Sequence, residues 1–477
     1  MLHQLLNIDP DSNRPVYRQL SDQLIRLIHD GRLIAGQQLP PGRRLAVDLG
    51  LNRNTIRAVY EDVIDQGYLE SKRGSGIYVS KRIQVHMKLQ PVARVNNEIT
   101  GFAHDQFHYP IGSLKDSVLR LTEGAPDTRL AELEELYGEA RRMLKRPVGK
   151  TLSRYADGRG DQLLRGTLAS YLSSSRGIPA KPENLLITRG SQHACQLATR
   201  LLFYGGGCLA AAEYTYEPFL TIAKDYGATV ISIPIDENGL NISALASHPQ
   251  IKDIRAVYLT PHHQYPTTVT LSADRRLQLL ELAAHYKFAI LEDDYDYDFH
   301  YGKGPLLPLA ALDQHNLVLY LGSFTKIIAP NLRIGYLLGP TNFIAAAHQY
   351  RLLTDRQGDQ LLERALAHYI REGSLDRHLR KVRLIYRRRR DLMSQLLTEH
   401  LGDRIQMLPP TGGMATWVNF NVPYNYEAVQ GKADKEKIWI SPSHRWWADI
   451  PAMRLGFASL NEKELTIAIV SLVKCLH

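Results

Sequence analysis

The chain has 477 residues, 44% hydrophobic and 22% charged. That balance excludes a disordered, fibrous or coiled-coil protein, and the length calls for two or more domains. The formal net charge of +9 signifies a polyanionic partner only if the charge sits on an element able to read one. Cys195, Cys208 and Cys475 have no paired spacing, so neither a disulfide framework nor a zinc ribbon is expected, and the expected compartment is a reducing cytoplasm. No signal peptide and no membrane span are expected.

Val16, Leu20, Leu24, Leu27 and Ile28 recur at helical spacing. A turn rich in Gly and Pro follows, then a short helix around Leu45, Ala46 and Leu49 that stops at Gly50. Thr55 to Ile64 predicts a third helix with Ile56, Val59, Tyr60 and Val63 on one face. Two apolar runs around Lys72-Arg73-Gly74-Ser75-Gly76 predict a β-hairpin. Three helices and a hairpin make a winged helix-turn-helix, an α+β unit placed at residues 1–80. Periodicity is lost from 81 to 121, which reads as a linker. From Thr122 helices alternate with strand candidates at Leu185–Thr188, Cys208–Ala212, Thr229–Pro234, Ala256–Leu259, Phe288–Glu292, Leu317–Leu321 and Arg333–Leu338. The alternation predicts an α/β domain over 122–477 with a mostly parallel seven-stranded sheet. A long basic helix, Leu375 to Leu397, leads into a C-terminal α+β part.

Four segments carry chemistry. Arg43 and Arg44 open the second helix, and Arg53, Asn54, Thr55 and Arg57 open the third. Arg binds guanine edges or phosphates, Asn and Thr bind bases or phosphates, and a recognition helix enters the major groove by its N-terminus. Arg73, Gly74 and Ser75 at the hairpin tip add phosphate or minor-groove contacts. In "LGSFTKIIAPNLRIGY", Lys326 follows a strand, and a half-desolvated lysine there can form a Schiff base. Ser323, Thr325 and Arg333 are phosphate donors. In "AILEDDYDYDF", Asp293 can hold a protonated pyridine nitrogen and Tyr295 a phenolic oxygen. Asp296 and Asp298 read as a solvated acidic turn, because the calcium-loop positions hold Phe299 and Pro305. In "LITRGSQHACQLATRLL", Gly190-Ser191-Gln192 opens a helix whose N–H groups suit phosphate. No metal site is expected: His262 and His263 are adjacent and face different ways. Arg387–Arg390 reads as a solvated or interdomain face, and Trp446-Trp447 as packing or a lid. Arg351 and Arg356 remain open as anion contacts.

The run "GRLIAGQQLPPGRRLAVDLGLNRNTIRAVYEDVIDQGYLESKRGSGIYV" resembles the DNA-binding domain of the GntR family. Pro41-Gly42 stands where that family usually has Ser. The second part, with "TEGAPDTRL", "LSRYADGRGDQLLR", "TPHHQYPTTVTLSADRR" and "AMRLGFASL" in order, resembles fold-type I pyridoxal 5′-phosphate (PLP) enzymes of the aspartate aminotransferase kind. A GntR domain followed by this module is similar to the MocR/GabR subfamily of transcription regulators.

The resemblance implies a PLP-dependent regulator that binds operator double-stranded DNA and forms a head-to-tail homodimer with shared PLP sites. It implies an amino compound as effector, joined to PLP as an external aldimine. Lys326 matches the Schiff-base lysine, Asp293 the pyridine partner and Tyr295 the phenolic-oxygen partner. Ser191, Gln192, Ser323 and Arg333 match phosphate contacts, and Tyr216 the ring stacked on the pyridine. Tyr155 matches a tyrosine reaching the neighbouring subunit's phosphate, and Arg454 the clamp on an effector carboxylate. Tyr265-Pro266-Thr267-Thr268 replaces the usual Asn-Pro-Thr-Gly, with His263 as the nearby substitute for the lost Asn, so at most weak transamination is expected. Glu217 and Pro218 after Tyr216 argue against a second anion clamp. Two rival readings are an active aminotransferase with an appended DNA-binding domain and a cofactor-free dimerisation scaffold.

Overall fold

A computed structural model describes residues 2–12, 14–83, 118–302, 304–441, 447 and 450–476. Most of the expected linker (84–117) and Trp446 lie outside them. The chain divides into two units, Met1–Phe107 and His108–His477.

In the first unit the apolar stripe of α1 (Val16–His29) buries Leu20, Leu24, Leu27 and Ile28. It packs with α3 (Arg53–Asp65), which buries Ile56, Val59, Tyr60 and Val63. The short α2 (Gly42–Asp48) contributes Leu45 and Ala46. Each large apolar side chain so buried contributes roughly 1.5–3 kcal/mol, which holds helices too short to persist alone. The α3 start is set by Asn52, whose side chain accepts the Asn54 N–H at 2.8 Å and satisfies an otherwise orphan donor. Strands β1 (Leu69–Lys72) and β2 (Gly76–Val79) form an antiparallel hairpin with Leu69 opposite Val79. Gly74 turns it at φ +76°.

The second unit is built on β4 (Leu185–Thr188), β5 (Gly207–Ala212), β6 (Ala228–Ile233), β9 (Ile254–Leu259), β10 (Ala289–Asp294), β11 (Val318–Ser323) and β12 (Gly335–Leu338). Between them lies a small hairpin, β7 (Ile235–Asp236) and β8 (Gly239–Leu240). The seven strands form one sheet in the order β4-β12-β11-β10-β9-β5-β6. Strand β12 runs antiparallel to both neighbours and the other pairings are parallel. Apolar strands such as Val318–Ser323 are buried throughout, as expected of a sheet covered on both faces.

C-terminal to the helix Ser374–Leu401, which extends the expected Leu375–Leu397, β13 (Ile405–Gln406), β14 (Ala415–Phe420) and β16 (Ala452–Gly456) make a small antiparallel sheet. Strand β3 (Leu119–Leu121) pairs in parallel with β15 (Ile438–Ile440). Residues 119–121 therefore form a separate two-stranded sheet with β15 and do not belong to the expected linker. Three residues are too few to display a period, and their partner lies more than 300 positions away.

Two further expectations are corrected, and the question left open at Arg351 is answered. Asp296 and Asp298 are buried, not solvated. Asp298 pairs with Arg176 at 2.7 Å, and Asp296 meets Nδ1 of His263 at 2.7 Å. A buried carboxylate needs such partners, and both come from remote segments that local spacing does not reveal. Arg389 is also buried; it pairs with Asp127 at 2.9 Å, while Arg387 and Arg388 remain exposed. Arg351, fully buried, donates to the carbonyl of Gly158 and to Asp355, so it is a structural brace. Among the described residues, no helix is long and apolar enough to cross a membrane and no group of three or more His, Cys, Asp or Glu could hold a metal.

Candidate functional site

Strand direction assembles the site. In open α/β sheets ligands bind beyond the carboxyl ends of parallel strands. Asp293 stands near the end of β10, and Lys326 lies three residues past the end of β11. Because β12 is antiparallel, its amino end is at the same edge: Gly335 is opposite both Thr188 of β4 and Ser323 of β11. This brings Gly190, Ser191, Ser323 and Arg333 to one edge although Arg333 precedes its strand.

The closeness is built with glycine. A Cβ on Gly335 would stand 2.7 Å from the Gly190 backbone. Gly190, at φ +81°, begins the helix Ser191–Leu202. A Cβ there would be 3.1 Å from the guanidinium of Arg333. Arg333 donates to the carbonyl of Arg189 at 2.8 Å. Ser323 Oγ accepts the Thr325 N–H at 3.2 Å, and the buried Thr325 hydroxyl has no hydrogen-bond partner. A helix N-terminus, an arginine and hydroxyl donors with spare capacity make an anion cradle.

Beside this edge is a cavity of about 200 Å³. Lys326, Asp293, Tyr295, Tyr216, Ser191 and Gln192 line it, together with Glu123, Cys195, Tyr258, Thr260 and Tyr265. Lys326 Nζ donates to the Gly124 carbonyl at 3.0 Å. Burial lowers the lysine from its ordinary value, partly opposed by Glu123. Asp293 Oδ2 accepts from the Tyr258 hydroxyl at 3.0 Å, whereas its buried Oδ1 has no partner. Burial pushes this carboxyl up to about 7. The Tyr258 hydrogen bond opposes the rise, and Asp294 adds to it. Tyr258 is opposite Leu291 on β10 and so shares a face with Asp293, two residues on.

Tyr295 donates its hydroxyl proton to the His263 carbonyl at 2.9 Å and accepts from Arg454 at 3.1 Å. The His263 ring itself is turned to Asp296 and is not part of the cavity lining. Arg454, buried on β16, also donates to the carbonyls of Glu123 and Pro266 at 2.9 and 2.8 Å. Tyr155 lies away from the cavity, 78% exposed, with Arg356 4.3 Å above its ring. The carbonyl of Leu306 meets the His262 ring at 2.9 Å, so the two histidines diverge. Trp447 packs edge-on against Tyr265 and Trp417.

Sequence reasoning missed Glu123, Tyr258, Thr260 and Cys195. The segment "TEGAPDTRL" held the signal for Glu123, which immediately precedes the glycine that meets Lys326.

In the first unit Arg43, Arg53 and Arg57 border one groove of about 420 Å³ beside α2 and α3. Arg44 and Asn54 are exposed nearby and Thr55 is half-buried. Arg73, Gly74 and Ser75 are exposed at the hairpin tip, which Gln38 holds by donating to the Ser75 carbonyl at 2.8 Å.

Comparison with known proteins follows the same division. The family "Aminotransferase class I and II" matches residues 116–472, and "Bacterial regulatory proteins, gntR family" matches residues 16–79. The probable rhizopine catabolism regulatory protein MocR of Rhizobium meliloti is 28% identical, over 98% of this chain and 95% of its own. The HTH-type transcriptional regulator TauR of Rhodobacter capsulatus is 27% identical, over 98% of each. Among solved structures, the kynurenine aminotransferase of Pyrococcus horikoshii superposes with a TM-score of 0.70 at 28% identity, covering 76% of this chain and 91% of its own. The chain belongs to the aminotransferase class I and II family, carries a gntR-family DNA-binding domain ahead of that fold, and in that arrangement matches the MocR/GabR subfamily of transcription regulators.

Proposed function

We propose that this regulator is PLP-dependent and that an amino compound bound at the Lys326 cavity alters operator binding. The observation that carries the reading is the pairing of a desolvated lysine with a buried carboxylate whose Oδ1 is unpartnered, in one cavity beside an anion cradle. An unpaired buried acceptor is costly unless something fills it.

The donor set suits the cofactor. Lys326 would hold its aldehyde carbon covalently, Asp293 Oδ1 would face the pyridine nitrogen, and Tyr216 would cover the ring. Gly190, Ser191, Gln192, Ser323, Thr325 and Arg333 would take the phosphate. When bound, the cofactor supplies an electrophilic carbon for an amine and a pyridinium that withdraws electrons from it. Desolvation keeps a share of Lys326 as the neutral amine, the nucleophilic form. A carboxylate at Asp293 favours a proton on the nitrogen it faces. Tyr295 has one hydroxyl proton, so it would donate toward the phenolic oxygen by turning that proton from the His263 carbonyl while still accepting from Arg454, and Arg454 has two N–H groups left for a carboxylate. His263 reaches this region through its carbonyl, an acceptor, so it would position the Tyr295 hydroxyl and not itself donate to the phenolic oxygen.

DNA would be read by Arg53, Asn54, Thr55 and Arg57 at the start of α3. Arg43 and Arg44 would contact phosphates, and Arg73, Gly74 and Ser75 the flanking backbone. A homodimer, with Tyr155 reaching the partner's phosphate, would present two such units to two half-sites in the cytoplasm. Relatives named as regulators span 98% of the chain. An aromatic-amino-acid aminotransferase from Thermococcus litoralis spans 75%, which favours regulation over turnover. The test is an amine screen on the loaded protein, followed by operator titrations with wild type and Lys326→Ala. The amine-dependent change in affinity should vanish in the variant; its survival unchanged would overturn the reading.

A further inference from the structure

Glu123 brings a carboxylate to the cavity wall that the proposed cofactor chemistry does not use. Its oxygens accept from two neutral hydroxyls, Tyr265 at 2.6 Å and Ser441. Among the described residues no cation hydrogen-bonds to its carboxylate: Lys326 donates to the Gly124 carbonyl and Arg454 to the main-chain oxygen of Glu123, although both cations lie close enough to feel its charge. Each carboxylate oxygen has capacity for a further donor. The wall beside it is aromatic. Tyr216 and Tyr265 both line the cavity, with ring centroids 5.6 Å apart and planes at 86°.

A carboxylate held by hydroxyls and flanked by tyrosine rings is the chemistry that receives an ammonium group. It repels a second carboxylate. We propose that Glu123 is the specificity-determining residue of the effector site and that the effector is a diamino compound, such as a basic amino acid, whose distal ammonium docks on Glu123. This rests on the reading of the Lys326 cavity as the effector site.

The probes are L-ornithine, L-norvaline, which has the same carbon chain without the distal amine, and L-glutamate. Each is titrated into PLP-loaded full-length protein and followed by cofactor absorbance. Ornithine should bind at least about 10-fold tighter than norvaline, the range of a charge-assisted hydrogen bond, and glutamate more weakly than both. In Glu123→Gln, which keeps an oxygen acceptor for the hydroxyls, the ornithine preference should shrink to within about 2-fold. Equal affinities for ornithine and norvaline in the wild type overturn the proposal whether or not the variant folds. An undiminished preference in Glu123→Gln also overturns it. Both results leave the cofactor reading standing, whereas failure of the wild type to load PLP overturns that reading and this inference together.

Discussion

Asp293 has one hydrogen-bonded oxygen and one bare oxygen, and its protonation therefore tracks what fills the cavity. In cofactor-free protein its carboxyl is raised from 3.8 to about 7, mainly by burial. Between those values the folded state keeps a proton that the unfolded chain releases. Its contribution to stability is full below the unfolded value and is lost as the pH rises through about 7. At about 1.4 kcal/mol per unit the loss has a ceiling of about 4 kcal/mol. Asp293→Asn removes the titration, so its stability relative to wild type should improve between about pH 5 and about pH 8 in urea unfolding of the cofactor-free proteins. A gap that stays constant with pH would contradict the assignment.

At this scale legibility depended on chemistry rather than on burial. Lys326, Asp293, Tyr295 and Arg333 stand out because each lies at a fixed distance from a recognisable strand end. Glu123 and Tyr258 do not, since their relevance arises from contacts with residues far along the chain. The partners of Asp296 and Asp298 are equally hidden: two alternating acids predict a wet turn, yet both are buried and paired.

The elements around the cavity work because backbone is allowed where side chains would collide. Gly190 has a left-handed φ and no room toward Arg333. Gly190→Ala should lower stability by roughly 1–2 kcal/mol and weaken PLP loading, measured by thermal unfolding and cofactor titration; an Ala variant that loads normally would contradict the cradle. In the first unit the exposed Arg53 opens α3 beside Arg43 and Arg57. Arg53→Ala should weaken operator binding, by about 1–3 kcal/mol if the contact is to a base. If it is to phosphate, the log–log salt slope should fall by about one. Salt-dependent titrations distinguish the two, and no change in either would remove Arg53 from the interface. The helices and sheet strands were legible because their apolar periods run for several residues. The strand at 119–121 was not, because a short edge strand is defined by its partner.

For the whole molecule, the proposed shared-site dimer makes a prediction independent of any one site. Tyr155 is exposed on its own chain and, in the proposed dimer, would reach the partner's phosphate. Lys326→Ala and Tyr155→Ala homodimers would each carry two damaged sites. A mixed dimer would pair an intact lysine with an intact tyrosine in one of its two sites. Random exchange should therefore restore full cofactor affinity to about one quarter of all sites. No restoration on mixing would place Tyr155 outside the partner's site.

The central claim is a covalent attachment at Lys326 in a protein that also reads DNA. Borohydride treatment of PLP-loaded protein, followed by peptide mass mapping, tests it most directly. The account predicts that the peptide containing Lys326 carries the reduced phosphopyridoxyl group. Recovery of that peptide unmodified from fully loaded protein would contradict it.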